Sequence, residues 1–192
     1  MRALVLLEPV VRNLVTIMTA LALSACGGSQ NPATQGSDRT IAVVNGDFEQ
    51  VASDGTIAGW KMMQHVGPPS YEMVIDADGA HAGHGAFRIT RTHEQVYGSL
   101  VQDFDFAESL SGEVELSAMM KTKGVGPEGW KLMLVIADTP VYAPALTGDS
   151  EWQHVSVKAT LPANTRSLRI GAILLDAGTG WLDDVQLRVI AP

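Results

Sequence analysis

Residue types able to do catalysis occur in this chain, but not in spacings that catalysis uses. His81-Ala82-Gly83-His84 holds two imidazoles. It has neither a helix to put them on one face nor the spacing of a zinc protease, and such a Gly-containing step reads as a turn. No Gly-x-Ser-x-Gly elbow is present, so the strained serine nucleophile of that motif is not encoded. Carboxylates number 21, all but Glu8 following Cys26. A pair that cleaves glycosides is set by separation in space, which spacing along the chain does not reveal. A compact chain without long loops argues against one, and catalysis is not expected. The single cysteine excludes an internal disulfide framework.

That cysteine has chemistry of another kind. Leu14 to Ala25 (LVTIMTALALSA) is an uncharged run of 12 residues, too short to span a bilayer, which takes about 20 as a helix. With Arg2 and Arg12 before it, the run reads as a signal-peptide core, although Glu8 is untypical there. Leu23-Ser24-Ala25-Cys26 resembles the bacterial lipobox, which implies cleavage before Cys26, lipid on its thiol, and a membrane anchor. Gly27, in place of Asp, resembles the outer-membrane sorting class of Gram-negative hosts. The organisation expected is a signal peptide over 1–25, a lipidated cysteine with a flexible tether over 26–40, and one binding domain over 41–192. Residues 27–40 (GGSQNPATQGSDRT) lack apolar periodicity and would hold the domain roughly 20 Å from a membrane.

The domain itself reads as all-β. Nineteen Gly and 9 Pro punctuate short β-branched and aromatic runs, and no helical stripe is sustained. Strands are expected at 41–49, 70–75, 86–93, 99–106, 112–122, 131–137, 153–160, 167–175 and 181–189. Val114, Leu116, Ala118 and Met120 alternate with Glu113, Glu115, Ser117 and Met119, the mark of a sheet with one buried face. Leu168 to Leu175 turns continuously apolar, as a central strand covered on both sides would. Nine such strands predict two packed antiparallel sheets in a jelly-roll sandwich.

Val44-Asn45-Gly46-Asp47-Phe48-Glu49 followed by Gly59-Trp60 resembles the opening of family 4/9-type carbohydrate-binding modules, galactose-binding-like jelly rolls. His81 to Ile89, Glu151-Trp152-Gln153-His154-Val155 and Trp181-Leu182-Asp183-Asp184-Val185-Gln186-Leu187 resemble later motifs of that family, in order, over residues 41–190. The resemblance implies a structural calcium ion held by Asp47 and Glu49, by a His81 or His84 backbone carbonyl, and by Asp184. Calcium takes six to eight hard oxygens, and carboxylates brought together from distant segments repel unless a cation lies between them. Capped turns and a solvent-facing acidic pair are the alternative.

Trp60 and Trp181 read as core or edge packing. For a sugar face the candidates are Tyr71, Tyr97, Trp130 and Tyr142 as plates, with Arg91, His93, Gln102 and His65 as hydrogen-bonding groups. Sugars offer apolar ring faces and a rim of hydroxyls, so a groove combines the two kinds of side chain. Aromatics make up only 6% of the chain while methionine occurs eight times, Met62-Met63 in a loop among them, a surface that a protein partner could also use. The net charge of −8 becomes −9 once Arg2, Arg12 and Glu8 are removed. Such a chain repels phosphate backbones, and nucleic acid is not an expected partner. Two functions follow as expectations: a lipid-tethered polysaccharide-binding module, or an envelope lipoprotein that holds a protein partner on the same scaffold.

Overall fold

The computed structural model describes residues 38–190. Cys26, the signal peptide and all but the last residues of the tether lie outside them. Ten strands make up the fold: β1 (Arg39–Ile41), β2 (Lys61–Gln64), β3 (Tyr71–Asp76), β4 (Ala86–Arg91), β5 (Gly98–Leu110), β6 (Glu113–Ile136), β7 (Thr139–Tyr142), β8 (Leu146–Thr160), β9 (Thr165–Leu174) and β10 (Thr179–Ile190). Hydrogen bonding runs in the order β2-β5-β9-β6-β10-β4-β3, with β1 on β10 and both β7 and β8 on β6.

β6 explains how one ladder becomes two layers. Glu113 to Lys123 pair with β10 and, over much of that length, with β8, whereas Trp130 to Ile136 pair with β9 and β7. Between these halves Gly124 and Gly129 take positive φ values of 60° and 82°, a conformation open to glycine at little cost. The chain thereby leaves one sheet and enters the other. The result is the expected jelly-roll sandwich, β3-β4-β10-β6-β8 facing β2-β5-β9-β6-β7.

Alternation fills the space between the sheets. Val114, Leu116, Ala118 and Met120 from the first half of β6 meet Leu132, Leu134 and Ile136 from the second, with Ile170, Ala172 and Leu174 of β9. β9 lies between β5 and β6 in the sheet, but it is not covered on both sides as expected: Leu168, Ile170, Ala172 and Leu174 are core, while Arg169 and Ile173 are only partly buried on its other face.

Three expectations about elements are corrected. Only Arg39–Ile41 of the opening segment is strand. Beyond it Asn45 and Phe48 adopt positive φ, the Asn45 side chain bonds both backbone groups of Gln50, and Phe48 is fully buried. A capped turn that plugs the core has displaced the ladder there. The short strands β2 and β7 were not expected, because Lys-Met-Met-Gln and Thr-Pro-Val-Tyr carry weak strand signals. β8 starts seven residues before the expected Gln153, at Leu146: Thr147-Gly148-Asp149-Ser150 has loop composition but pairs with β6 through register shifts.

Candidate functional site

The sheet β2-β5-β9-β6-β7 has an outer face whose membership follows from register, since directly paired residues share a face. Gly171 of β9 stands opposite Val101 of β5 and Met133 of β6. Two residues along β9 one way is Ile173, opposite Ser99 and Lys131; two the other way is Arg169, opposite Asp103 and Val135. Lys61 and Met63 of β2 extend the face at one edge, and Tyr142 of β7, opposite Met133, extends it at the other. Val101 is 2% exposed and Met133 7% exposed, yet Val101 and Met133 are absent from the hydrophobic core cluster between the sheets. They are buried on the outside, by neighbours that rise around them. The face is therefore a trough with an apolar floor.

The floor stays low where Gly171 has no side chain, and a Cβ there would lie 2.1 Å from the Leu100 carbonyl oxygen. Polar groups line the flanks. Asp103 accepts from Arg169 Nε at 2.5 Å and from Lys61 Nζ at 2.8 Å, and the Arg169 hydrogen bond, followed by that of Lys61, holds its carboxyl below the ordinary value. Beside them a hollow of about 450 Å³ is bordered by Asp105, Asp138 and Ser167. At the far edge Tyr142 is 42% exposed, and Lys131 Nζ lies 5.9 Å from its ring centroid.

Most of the sugar-face candidates gather elsewhere, at the end of the sandwich where the β2–β3, β4–β5 and β9–β10 connections meet. Two of them are corrected by burial. Trp130 is 0% exposed, its indole N–H donating to the Trp181 carbonyl, and it offers no plate. Tyr71 is buried in the core with its hydroxyl donating to the Gln95 carbonyl, and burial raises its pKa. Arg91 donates to that same carbonyl and to Asp176 at 3.1 Å. His93 is exposed, and Tyr97 meets His65 edge-on at 6.2 Å. Gln102 turns inward and bonds both backbone groups of Val44. Trp60 is buried, while Trp181 lies on the opposite outer face, its indole N–H on Asp76 and Lys121 over its ring.

The trough residues Lys61, Val101, Asp103, Lys131, Arg169 and Gly171 escaped sequence reasoning. A signal was available: in β6, Leu132, Leu134 and Ile136 point inward, so Lys131, Met133 and Val135 must share the other face.

The carboxylates of the expected metal site divide between two places. Glu49 Oε1 accepts the amides of His84 at 2.7 Å and Gly85 at 3.2 Å. Asp47 and Asp184 line one hollow of about 460 Å³, together with residues 40–43, Asn45, Gly46, Gln50 and residues 185–187. Asp184 Oδ2 is 2.7 Å from His81 Nδ1. Donor atoms of His81, Asp183 and Asp184 lie within 4.8 Å of one another. Asp183, however, is fully buried and already accepts three amides, from His81, Ala82 and Asp184. With its oxygens engaged and a nitrogen as the third donor, that trio is poorly matched to calcium. Asp47 has no hydrogen bond or ion pair among the described residues and shares its hollow with Asp184.

No family model matches the chain. The uncharacterized HTH-type transcriptional regulator YbfP of Bacillus subtilis strain 168 is 26% identical over 152 residues, 74% of this chain and 51% of that protein. The chain thus spans about half the length of that curated relative. Among solved structures, the enzymatically active domain of tailspike protein 4 from bacteriophage CBA120 superposes with a TM-score of 0.59 at 11% identity, covering 78% of this chain and 21% of that one. TmCBM61, solved in complex with β-1,4-galactotriose, gives 0.52 at 18% identity, covering 76% and 95%. A CBM4 structure gives 0.51 at 16%, covering 79% and 100%. Identities this low speak for the fold. The chain has the jelly-roll fold of carbohydrate-binding modules.

Proposed function

We propose that this chain is a non-catalytic lipoprotein that binds polysaccharide in the trough of β2-β5-β9-β6-β7. It would be exported, cleaved before Cys26 and held by lipid on that residue, in the outer membrane if the host is Gram-negative. Its domain is of the family 4/9 type. The observation that carries the glycan reading is the Tyr142 ring, 42% exposed at the edge of this outer face. An exposed aromatic ring suits the faces of sugars, and Asp103, Arg169 and Ser167 on the same face suit their hydroxyls. The fold shared with TmCBM61, which holds galactotriose, supports the same reading. Affinity electrophoresis of the whole chain through gels of xylan, galactan and acidic polymers tests it. Retardation by a defined polymer is expected, and free migration through every gel removes the glycan reading.

A second reading has its own observation. Met62, Met63, Val66 (91% exposed) and Val96 stand open to solvent, on segments joined by the His65 amide and the Tyr97 carbonyl. Such an apolar end suits an envelope protein partner. Photocrosslinkers at Val66 and Val96 would capture that partner, and an absence of protein adducts removes this reading.

Calcium is proposed as a structural ion between Asp47 and Asp184. It would supply charge neutralisation that ties the turn after β1 to the bulge in β10, where the register shifts between Asp183 and Gln186. Those two carboxylates would hold it.

A further inference from the structure

We infer that the glycan taken by the trough is carboxylated, a polymer containing uronic-acid units, with Lys131 pairing with a carboxylate and Tyr142 stacking on the sugar that bears it; this rests on the polysaccharide reading above. The observation is an ammonium group without an acid. Lys131 is half-buried on the outer face of β6, and its ammonium group stands over the Tyr142 ring. No carboxylate lies within ion-pair distance of it among the described residues, as is also true of Arg39, Lys121, Lys123 and Arg166. What sets Lys131 apart is its place beside the exposed Tyr142 ring on this face, whereas the Trp181 ring under Lys121 is tied to Asp76. Scarcity of acids is not the cause, since the chain has 21 acidic residues against 13 basic ones. A partly desolvated cation loses hydration that the tyrosine face returns only in part. The same cation gains most from a ligand that brings its own negative charge.

Placement agrees. Tyr142 and Lys131 flank Met133 on this face, Tyr142 on β7 and Lys131 two residues along β6. A pyranose lying on the tyrosine ring projects a C6 carboxylate from its rim, in the direction of a neighbouring ammonium. A neutral sugar would need the plate and hydrogen-bonding groups, and would leave the ammonium unmatched.

The rest of the trough restricts the polymer further. Four residues along β6 from Lys131, about 13 Å at strand rise, is Val135, beside Arg169 and Asp103. There Lys61 and Arg169 are already neutralised in part by Asp103, with Asp105 and Asp138 at the border of the same hollow. Carboxylates on every unit would be repelled at that end. The ligand that fits has charged units spaced among neutral ones, a charged unit at Lys131 and neutral units over Gly171 and towards Arg169.

The test compares retardation of the whole chain by glucuronoxylan, unsubstituted xylan, β-1,4-galactan and polygalacturonate at low and moderate salt. The spaced uronate polymer is expected to bind more tightly than its unsubstituted backbone, and added salt should erase the difference. Lys131→Gln should weaken binding to glucuronoxylan about tenfold, as loss of one charge-assisted contact would, and flatten its salt dependence. Unchanged thermal melting shows that the variant is folded. Tyr142→Ala should weaken the same binding without altering the salt dependence. Equal binding of substituted and unsubstituted xylan, or a Lys131→Gln variant as retarded as wild type, overturns the uronate inference and leaves the polysaccharide reading intact. Free migration of the wild type through all four polymers overturns both.

Discussion

Replacing Asp183 with alanine removes the acceptor for three backbone N–H groups at once. The carboxylate is fully buried and takes the amides of His81 at 2.9 Å, Ala82 at 3.3 Å and Asp184 at 2.8 Å. It thus fastens the β3–β4 connection onto β10, across 101 and 102 residues of sequence for Ala82 and His81. Each buried donor left unpaired costs about 1–3 kcal/mol, and water reaching the more open ones reduces the sum, so about 2–4 kcal/mol is expected for the variant. For a domain of this size each kcal/mol shifts Tm by about 2–4 °C, which puts the fall at roughly 5–15 °C. Burial, the largest influence on Asp183, raises its pKa, and the three amides oppose that shift. A raised folded value means a contribution that is complete below the unfolded value of about 3.9 and diminishes as pH rises through the folded one. The deficit of the variant should accordingly be largest in acid and smaller at neutral pH. Calorimetry at pH 4 and pH 7, with amide exchange at His81 and Ala82, measures both parts. A Tm within about 2 °C of wild type at both pH values, with those amides still protected, would refute the argument.

Gly171→Val should both destabilise the domain, by about 1–3 kcal/mol from overpacking, and abolish polysaccharide retardation, because its Cβ would enter the Leu100 carbonyl; chemical denaturation and affinity gels check the two effects. Asp103 has a lowered pKa, with Arg169 the main cause. Its contribution should be present above about pH 3.9 and be lost as pH falls through the folded value. The loss should stay under about 1 kcal/mol, since the pair is solvent-screened, and Asp103→Asn should melt without that acid-side dependence. Millimolar calcium should raise Tm relative to chelator if Asp47 and Asp184 hold the ion, and Asp184→Ala should abolish the rise; identical melting curves with calcium and chelator would remove the metal.

Strand positions were legible where side-chain alternation was strong. Val114 to Met120 identified an inner row, because period-2 burial is written directly into residue type, whereas the continuously apolar run of Leu168 to Leu175 located a strand without saying which of its faces is core. Local composition misled where tertiary contacts decide. Phe48 belongs to a turn because its ring fills the core between Trp60 and Phe87, which no neighbouring residue announces. The site was less legible than the fold. Tyr71 and Trp130 have the side chains of sugar plates, but their position in the sandwich makes them packing. Lys131 belongs to no motif, and only the register of β6 against β9 and β7 shows what it stands beside. The carboxylates of Glu49 and Asp183 are taken up by backbone amides, a use that residue type alone does not separate from metal ligation.

The 24-residue strand β6 also bears on how the molecule comes apart. Its two halves are hydrogen-bonded into different layers, so peeling either layer away would drag on the other through a continuous backbone. Separate local openings of the two sheets are thereby suppressed, and amides in β9 and β10 should share one exchange free energy equal to that of global unfolding. Assembly inherits the converse burden. β10 must close against residues 113–123 and β9 against 130–136, contacts so distant in sequence that folding should be slow for a chain of this length.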